Sequence, residues 1–488
     1  MRRRCALAGL FALMLAAVSA AGQNQASPPP QQSRLPRTTA PVDTTADLLI
    51  TGGTVVTMDP SHSVLSDGAV AVRRSVILAV GPREELEARY SPARRIDARG
   101  RIVLPGFINT HTHAAMNLLR GLANDVTLED WLTNHIFPAE ARNVTEDFCV
   151  WGTRLAALEM IEGGTTTFAD MYYFEDAVAR ETKAAGLRGV LGESVLDFPV
   201  PDSRSVDQSL AQIEKFLQHW KGDPLIRPAV APHSPYTCSA DTLKRAAALA
   251  RRFQAPLLIH VAETRHERDE SLEKKKLSPV AWLDSLGFLG PDVLAAHCVW
   301  VDDADIRVLV ARGVGCAHNP SSNMMLASGV APVPDMLAAG LRLGLGTDGV
   351  AGSNNNLDMM QEMDLAAKLQ KVSRLDPRAL TAWQVLEMAT IGGARALHME
   401  DQIGSLEPGK QADIILLRTD TPHSVPSYDV AGAIVYSMKA SDVETVIVAG
   451  RLVMDGRRVL TLDQPSILVK AREYAEKVKK SLASGTNQ

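Results

Sequence analysis

At 488 residues, with 46% hydrophobic and 22% charged side chains, the chain can bury a large core, and disorder over its whole length is excluded. A net charge of −5 at pH 7 leaves no basic surplus to neutralise phosphates, so a nucleic-acid partner is excluded and a small-molecule substrate is expected. Five cysteines at irregular spacing, with no CxxC pair, indicate neither a disulfide framework nor a zinc-thiolate site.

In chain order, residues 1–22 (MRRRCALAGLFALMLAAVSAAG) join three arginines, an apolar run and small residues suited to cleavage, which is the form of a secretory signal peptide. The run is short for a membrane span, so export, to the periplasm, is expected, with no stable membrane insertion after cleavage. The arginines also permit a twin-arginine signal. Residues 23–45, rich in Pro, Gln, Ser and Thr, read as a disordered linker.

From Ala46 the pattern changes to short alternating strands broken by Gly, Asp and Pro, and similar material returns near the end in DIILLRTD, AIVYSM and TVIVAGRLVMDGR. A small β-sandwich domain built from both chain ends is expected, its first part at residues 46–104 and its second at 401–462, with a C-terminal helix over 463–488. Between them, residues 105–400 alternate apolar strands with helical stretches. GFINTH, TTTFADM, GVLGES, IRPAVAPH, PLLIHVAE, VLAAHCVW, VGCAHNP and LRLGLGTDG are continuous apolar runs, as buried parallel strands are, and predict an α/β fold containing a (β/α)8 TIM-like barrel.

The polar residues of these runs gather at one end. His111, His113, Asp170, Glu193, His233, His260, Glu263, His297, Asn319 and Asp348 fall at or just past the C-terminal ends, the face on which such barrels carry active sites. Residues i and i+2 of a strand share a side, so HTH can aim two imidazoles at one point. The pair alone is weak, since two surface or core histidines satisfy it equally. His260 and Asp348 complete a set of three nitrogens and one carboxylate that suits a divalent cation with a position open for water. Singly, each also reads as a structural polar residue. Glu263 follows His260 by three positions and could move the water's proton, although i and i+3 face opposite sides of a strand and a surface glutamate is the alternative. His297 could orient the nucleophile or be structural.

LPGFINTHTHAAMNLLRGLANDVTLEDWL, APHSPYTCS, HVAET, AAHCVW, HNPSSNMMLASGVAPVPDML, GLGTDGVAGSNNNLDMMQEM and IGSLEPGKQADIILL resemble the amidohydrolase superfamily and, within it, the 5-methylthioadenosine/S-adenosylhomocysteine deaminases. The resemblance implies a metal-dependent hydrolase of cyclic amidines that deaminates an adenosine-type nucleoside: 5′-methylthioadenosine, 5′-deoxyadenosine, adenosine or S-adenosylhomocysteine. Ammonia and an inosine-type product leave. It places His111, His113, His260 and Asp348 as metal ligands, Glu263, His297 and Asp348 in catalysis, and Glu140, His233, Glu263 and Arg204 at the substrate. No lysine stands where a carbamate bridge would lie, so a single divalent ion is implied, zinc by default and iron as the alternative, and a homo-oligomer is what the family suggests. Glu193 falls where relatives that hold a homocysteine tail carry an arginine. A carboxylate there would repel the tail's carboxylate, which favours smaller, uncharged 5′-substituents. The alternative keeps the barrel and the metal but changes the heterocycle, as in triazine chlorohydrolases or aminohydrolases and guanine or pterin deaminases. A catalytically inactive binding protein is a third reading, opposed by the presence of the full residue set.

Overall fold

The computed structural model describes residues 44–485. The expected signal peptide and nearly all of the expected linker lie outside these residues. Five strands come first: β1 (Thr45–Val56), β2 (Val64–Arg73), β3 (Val76–Pro82), β4 (Ser91–Asp97) and β5 (Arg101–Pro105). Then come β6 (Phe107–Thr112), β7 (Thr165–Tyr172), β8 (Arg188–Val195), β9 (Ile226–Pro232), β10 (Leu257–Val261), β11 (Val293–His297), β12 (Gly315–His318) and β13 (Arg342–Leu345). Last are β14 (Ile414–Arg418), β15 (Val443–Val448), β16 (Arg451–Asp455) and β17 (Arg458–Val459).

Strands β6 to β13 close into a parallel barrel, each overlapping one of the eight apolar runs. Every residue of β6, β7, β8, β10, β11 and β12 is buried. One face packs on the barrel axis and the other under helices, which is why these runs do not alternate with polar residues. Ile108, Met171, Val190, Ala231, Leu258, Leu294 and Ala317 form the interior, and Ile391, Leu397 and Met399 pack into the same cluster as a plug.

The remaining strands join in the order β17-β16-β15-β14-β5-β1-β2-β3, with β4 on β1. The two chain ends meet where β5 and β14 pair antiparallel, Leu104 opposite Ile415 and Ile102 opposite Leu417. These strands are hydrogen-bonded into one sheet of nine. The first half of β1 pairs with β4 and its second half with β5. The register of β1 against β2 shifts around Gly52, where φ is +86° and a side chain would meet Cγ of Arg99 at 2.8 Å.

A buried ion pair ties this sheet to the barrel. Nε of Arg188, at the start of β8, lies 3.2 Å from Oδ2 of Asp413, and its Nη1 donates to the Pro224 carbonyl at 2.9 Å. Asp413 also accepts from the amide of Ala449 at 2.6 Å. The helix Gln464–Gly485 buries Ile467, Tyr474 and Val478 on one face, and the Tyr474 hydroxyl donates to Asp147. No helix among the described residues is long and apolar enough to cross a membrane. Truncating Asp413 leaves the Arg188 guanidinium buried without a counterion. Asp413→Ala is therefore expected to destabilise the fold by about 3–5 kcal/mol, read as a fall in the denaturation midpoint.

Candidate metal centre and substrate cavity

His111 is the penultimate residue of β6 and His113 follows the strand. The register of β6 against β7 slips between Asn109 and Thr112, and Asp170 braces the turn by accepting from Thr112 Oγ1 at 2.5 Å and the Ala114 amide at 2.6 Å. The two imidazole centroids lie 5.0 Å apart. Nε2 of His111 and Nε2 of His113 lie 3.3 Å and 3.2 Å from the same Asp348 Oδ1. His260, from β10, places its Nε2 only 3.4 Å from Nε2 of His113.

The proton positions of these rings follow from their partners. Nδ1 of His113 lies 2.7 Å from the Met171 carbonyl, and Nδ1 of His260 lies 2.7 Å from the His233 carbonyl. A carbonyl only accepts, so each Nδ1 carries the hydrogen and each neutral ring presents a bare lone pair at Nε2. Two lone pairs 3.4 Å apart repel unless a cation sits between them. Nε2 of His111 is buried with no hydrogen-bond partner. Two imidazoles donating through Nδ1 to backbone oxygen, a third bare nitrogen and one carboxylate form the donor set of a divalent cation, so these residues could hold one. Burial alone would raise the pKa of Asp348, but the adjoining imidazoles of His111 and His113 hold it well below the carboxylate range.

Several residues here adopt left-handed backbone: Ala262 (φ 52°), His297 (φ 72°), Cys298 (φ 49°) and Asp348 (φ 65°). Such conformations cost about 1–3 kcal/mol each for residues other than glycine and persist only where surroundings enforce them. At Ala262 the enforcing group is Glu267, whose carboxylate accepts from the amides of Ala262 at 2.9 Å and Glu263 at 2.8 Å. The turn brings Glu263 onto the cavity wall despite its offset of three from His260, with Oε2 at 3.6 Å from Nε2 of His297. Burial, reinforced by the charge of Asp348, pushes Glu263 up to about 8. Nδ1 of His297 lies 3.1 Å from Oδ1 of Asn323, and Ser322 Oγ donates to Asp348 Oδ2 at 2.6 Å. Both supporting residues come from the helix Pro320–Met325 after β12.

His113, His233, His260, Glu263, His297 and Asp348 line one cavity with Glu140, Trp131, Tyr172 and Tyr236. Glu140 is a buried residue of the helix Phe137–Asn143; it accepts from the Tyr172 hydroxyl at 2.7 Å, and burial raises its pKa to about 7. Arg204 is not brought in: it is exposed and outside the lining. Glu193 also departs from expectation. Its neighbour Ser194 lines the cavity, so on β8 Glu193 points to the other face, where it accepts from the Glu175 amide at 2.8 Å. The repulsion expected of its carboxylate toward a substrate tail is corrected on this ground.

Residues 102–453 match the family model described as the amidohydrolase family. The chain belongs to the amidohydrolase family. A shorter match, to a bacterial imidazolonepropionase-like composite domain, covers residues 68–90. Among curated relatives, this amidohydrolase is 49% identical to a 5-methylthioadenosine/S-adenosylhomocysteine deaminase of Syntrophobacter fumaroxidans, over 89% of this chain and 99% of that one. It is 45% identical to a 5′-deoxyadenosine deaminase of Methanosarcina acetivorans, over 89% and 98%. Among solved structures, a zinc-bound adenosine deaminase from Xanthomonas campestris superposes with a TM-score of 0.88 at 38% identity, covering 89% of this chain and 99% of that one. A zinc complex of atrazine chlorohydrolase from Arthrobacter aurescens gives 0.82 at 26% identity, covering 88% and 100%.

Glu267, Ser322, Asn323 and Tyr172 escape a reading of the sequence. Thr264 and Glu267 have the spacing of a capping box, in which the glutamate would bond back to the Thr264 amide; here that carboxylate is spent on the two residues before it. Replacing Glu267 by alanine frees the Ala262 turn. Turnover is expected to fall about 10- to 100-fold with metal content unchanged, and Glu267→Gln, which keeps one acceptor oxygen, should fall less.

Proposed function

We propose that this amidohydrolase is a metal-dependent hydrolytic deaminase of adenosine-type nucleosides, converting water and the 6-amino purine into ammonia and an inosine-type product. The observation that carries the reading is the presence, in one cavity, of a convergent cation-binding cluster, a buried glutamate beside it, and a second buried glutamate in Glu140. The relatives named as nucleoside deaminases, aligned over nearly their whole length, support it.

His111, His113, His260 and Asp348 would hold the ion, zinc being the metal of the adenosine deaminase neighbour and iron fitting the same ligand types. When bound, such an ion supplies Lewis acidity and lowers the pKa of a water toward neutrality. The remaining work falls to side chains of this chain. Glu263 donates its proton to a ring nitrogen, which makes C6 electrophilic, and regains one from the C6 hydroxyl as that oxygen becomes the product carbonyl. Asp348 accepts the proton of the attacking water and gives it to the departing amine. His297, oriented through Nδ1 by Asn323, presents Nε2 toward the reacting oxygen. Glu140, with Tyr172 on one oxygen, accepts from ribose hydroxyls, and His233 flanks the substrate. Trp131, Leu132, Ile136 and Phe137 exclude bulk water from the wall they form. We also propose export to the periplasm on the strength of residues 1–22; N-terminal sequencing of protein recovered from that compartment tests it.

An ammonia-release assay on zinc-loaded protein with 5′-methylthioadenosine, adenosine, guanine and a chlorotriazine separates the readings. Nucleoside-dependent ammonia is expected; chloride release from the triazine without nucleoside turnover would favour the chlorohydrolase reading suggested by the 0.82 superposition. Glu263→Gln is expected to lower turnover about 10²- to 10⁴-fold while retaining the metal. His113→Ala should instead lose the metal, measured by elemental analysis after dialysis.

A further inference from the structure

The carboxyl of Glu140 is delivered to the cavity by a local irregularity of its own segment and held there by a barrel strand. Leu128, Leu132, Ile136 and Glu140 all line the cavity, at a constant interval of four residues. In an uninterrupted α-helix, at ~100° per residue, the step from 128 to 140 turns a side chain ~120° away from its start, and Glu140 would leave the face that Leu128 occupies. The turn Trp131–Ile136 is instead a π-helix, closed by the Phe137 amide donating to the Leu132 carbonyl five residues back. Such a turn absorbs one extra residue, which returns Glu140 to the cavity face.

Facing it, β7 ends in Tyr172, whose hydroxyl donates to Glu140 Oε1 at 2.7 Å; the two residues are only 3% and 4% exposed. Tyr173 packs its ring 4.8 Å from that of Tyr172, and its hydroxyl also bonds toward Glu140. The two residues before Tyr172 serve the cation-binding cluster. Asp170 accepts from the Ala114 amide beside His113, and the Met171 carbonyl takes the Nδ1 hydrogen of His113 at 2.7 Å. One strand end therefore fixes both a metal-ligand imidazole and the carboxylate across the cavity from it. Resting on the deaminase reading above, we infer that Tyr172 is a positioning residue for the nucleoside's sugar: by holding Glu140 Oε1 it aims the other oxygen at the ribose hydroxyls. Tyr172 touches no reacting atom. Without its hydroxyl the buried carboxylate loses a charge-assisted partner and is free to turn.

The test compares zinc-loaded wild type, Tyr172→Phe and Tyr172→Phe/Tyr173→Phe. KM and kcat are read on adenosine, and the inhibition constant is read for 2′,3′-dideoxyadenosine, whose sugar offers no hydroxyl to Glu140. Tyr172→Phe is expected to raise KM for adenosine about tenfold with kcat within about threefold, and to leave the dideoxy inhibition constant within about twofold. The double variant should raise KM further. Adding Glu140→Gln to Tyr172→Phe should cost less than the product of the two single effects, because both act through one carboxylate. A Tyr172→Phe enzyme that weakens for dideoxyadenosine as much as for adenosine has lost structure, not aim, and overturns the inference. So does an adenosine KM unchanged in both variants. Silence of the wild type toward adenosine and 5′-methylthioadenosine would instead overturn the deaminase reading, and this inference with it.

Discussion

The arrangement on which everything else depends is an electrostatic one: nitrogen lone pairs aimed at each other. The Met171 and His233 carbonyls each claim the Nδ1 hydrogen of one imidazole, so the Nε2 atoms of His113 and His260 face each other 3.4 Å apart. The groups around them are held by further side chains: Asp170 under the turn after β6, Ser322 on Asp348, Asn323 on His297, and Glu267 on the backbone that carries Glu263. The left-handed residues cluster in the same shell, at Ala262, His297, Cys298 and Asp348. Strain gathered at strand ends is the conformational cost of bringing side chains from distant parts of the chain to one point.

What the sequence discloses follows from which of these constraints are periodic. The eight barrel strands stand out because both faces of each are covered, so apolar residues run without alternation until a polar residue ends them. HTH is legible because a two-residue offset has a fixed meaning on a strand. Glu263 is not, because its position depends on a single left-handed φ at Ala262, and nothing in HVAE announces that turn. Glu267 is hidden behind a helix-cap spacing that it satisfies and does not use as a box. Glu140 looks like a solvated helix position; its burial comes from the partner hydroxyl of Tyr172, supplied by β7. Glu193 errs in the opposite direction, since position along β8 is easily counted but its face depends on where the strand begins its alternation.

The sheet and the barrel divide the labour. The sheet takes strands from either side of the barrel in the sequence, pairing β5 with β14, and the Arg188–Asp413 pair ties it to the start of the barrel strand β8. Replacing such a pair with apolar residues can be neutral for stability, so its value lies in fixing orientation, since removing one partner strands the other in a dry interior. None of these groups touches the cavity, and the chemistry at the strand ends rests on their register only indirectly.

The ring of strands has a weak seam. β13 meets β6 through one regular pair, Leu345 with Asn109, and beyond it the edges are held by Asn109 on Thr347, by the Asp348 amide on the His111 carbonyl, and by a lone bridge from Thr112 to Asp348. Close approach is permitted at Gly346, where a side chain would fall 2.7 Å from the His111 nitrogen. His111 and His113 stand on one lip of this seam and Asp348 on the other, 235 or more positions later in the chain. An ion held by all three would bridge this seam, so that the side chains offered to the cation would also fasten the hoop.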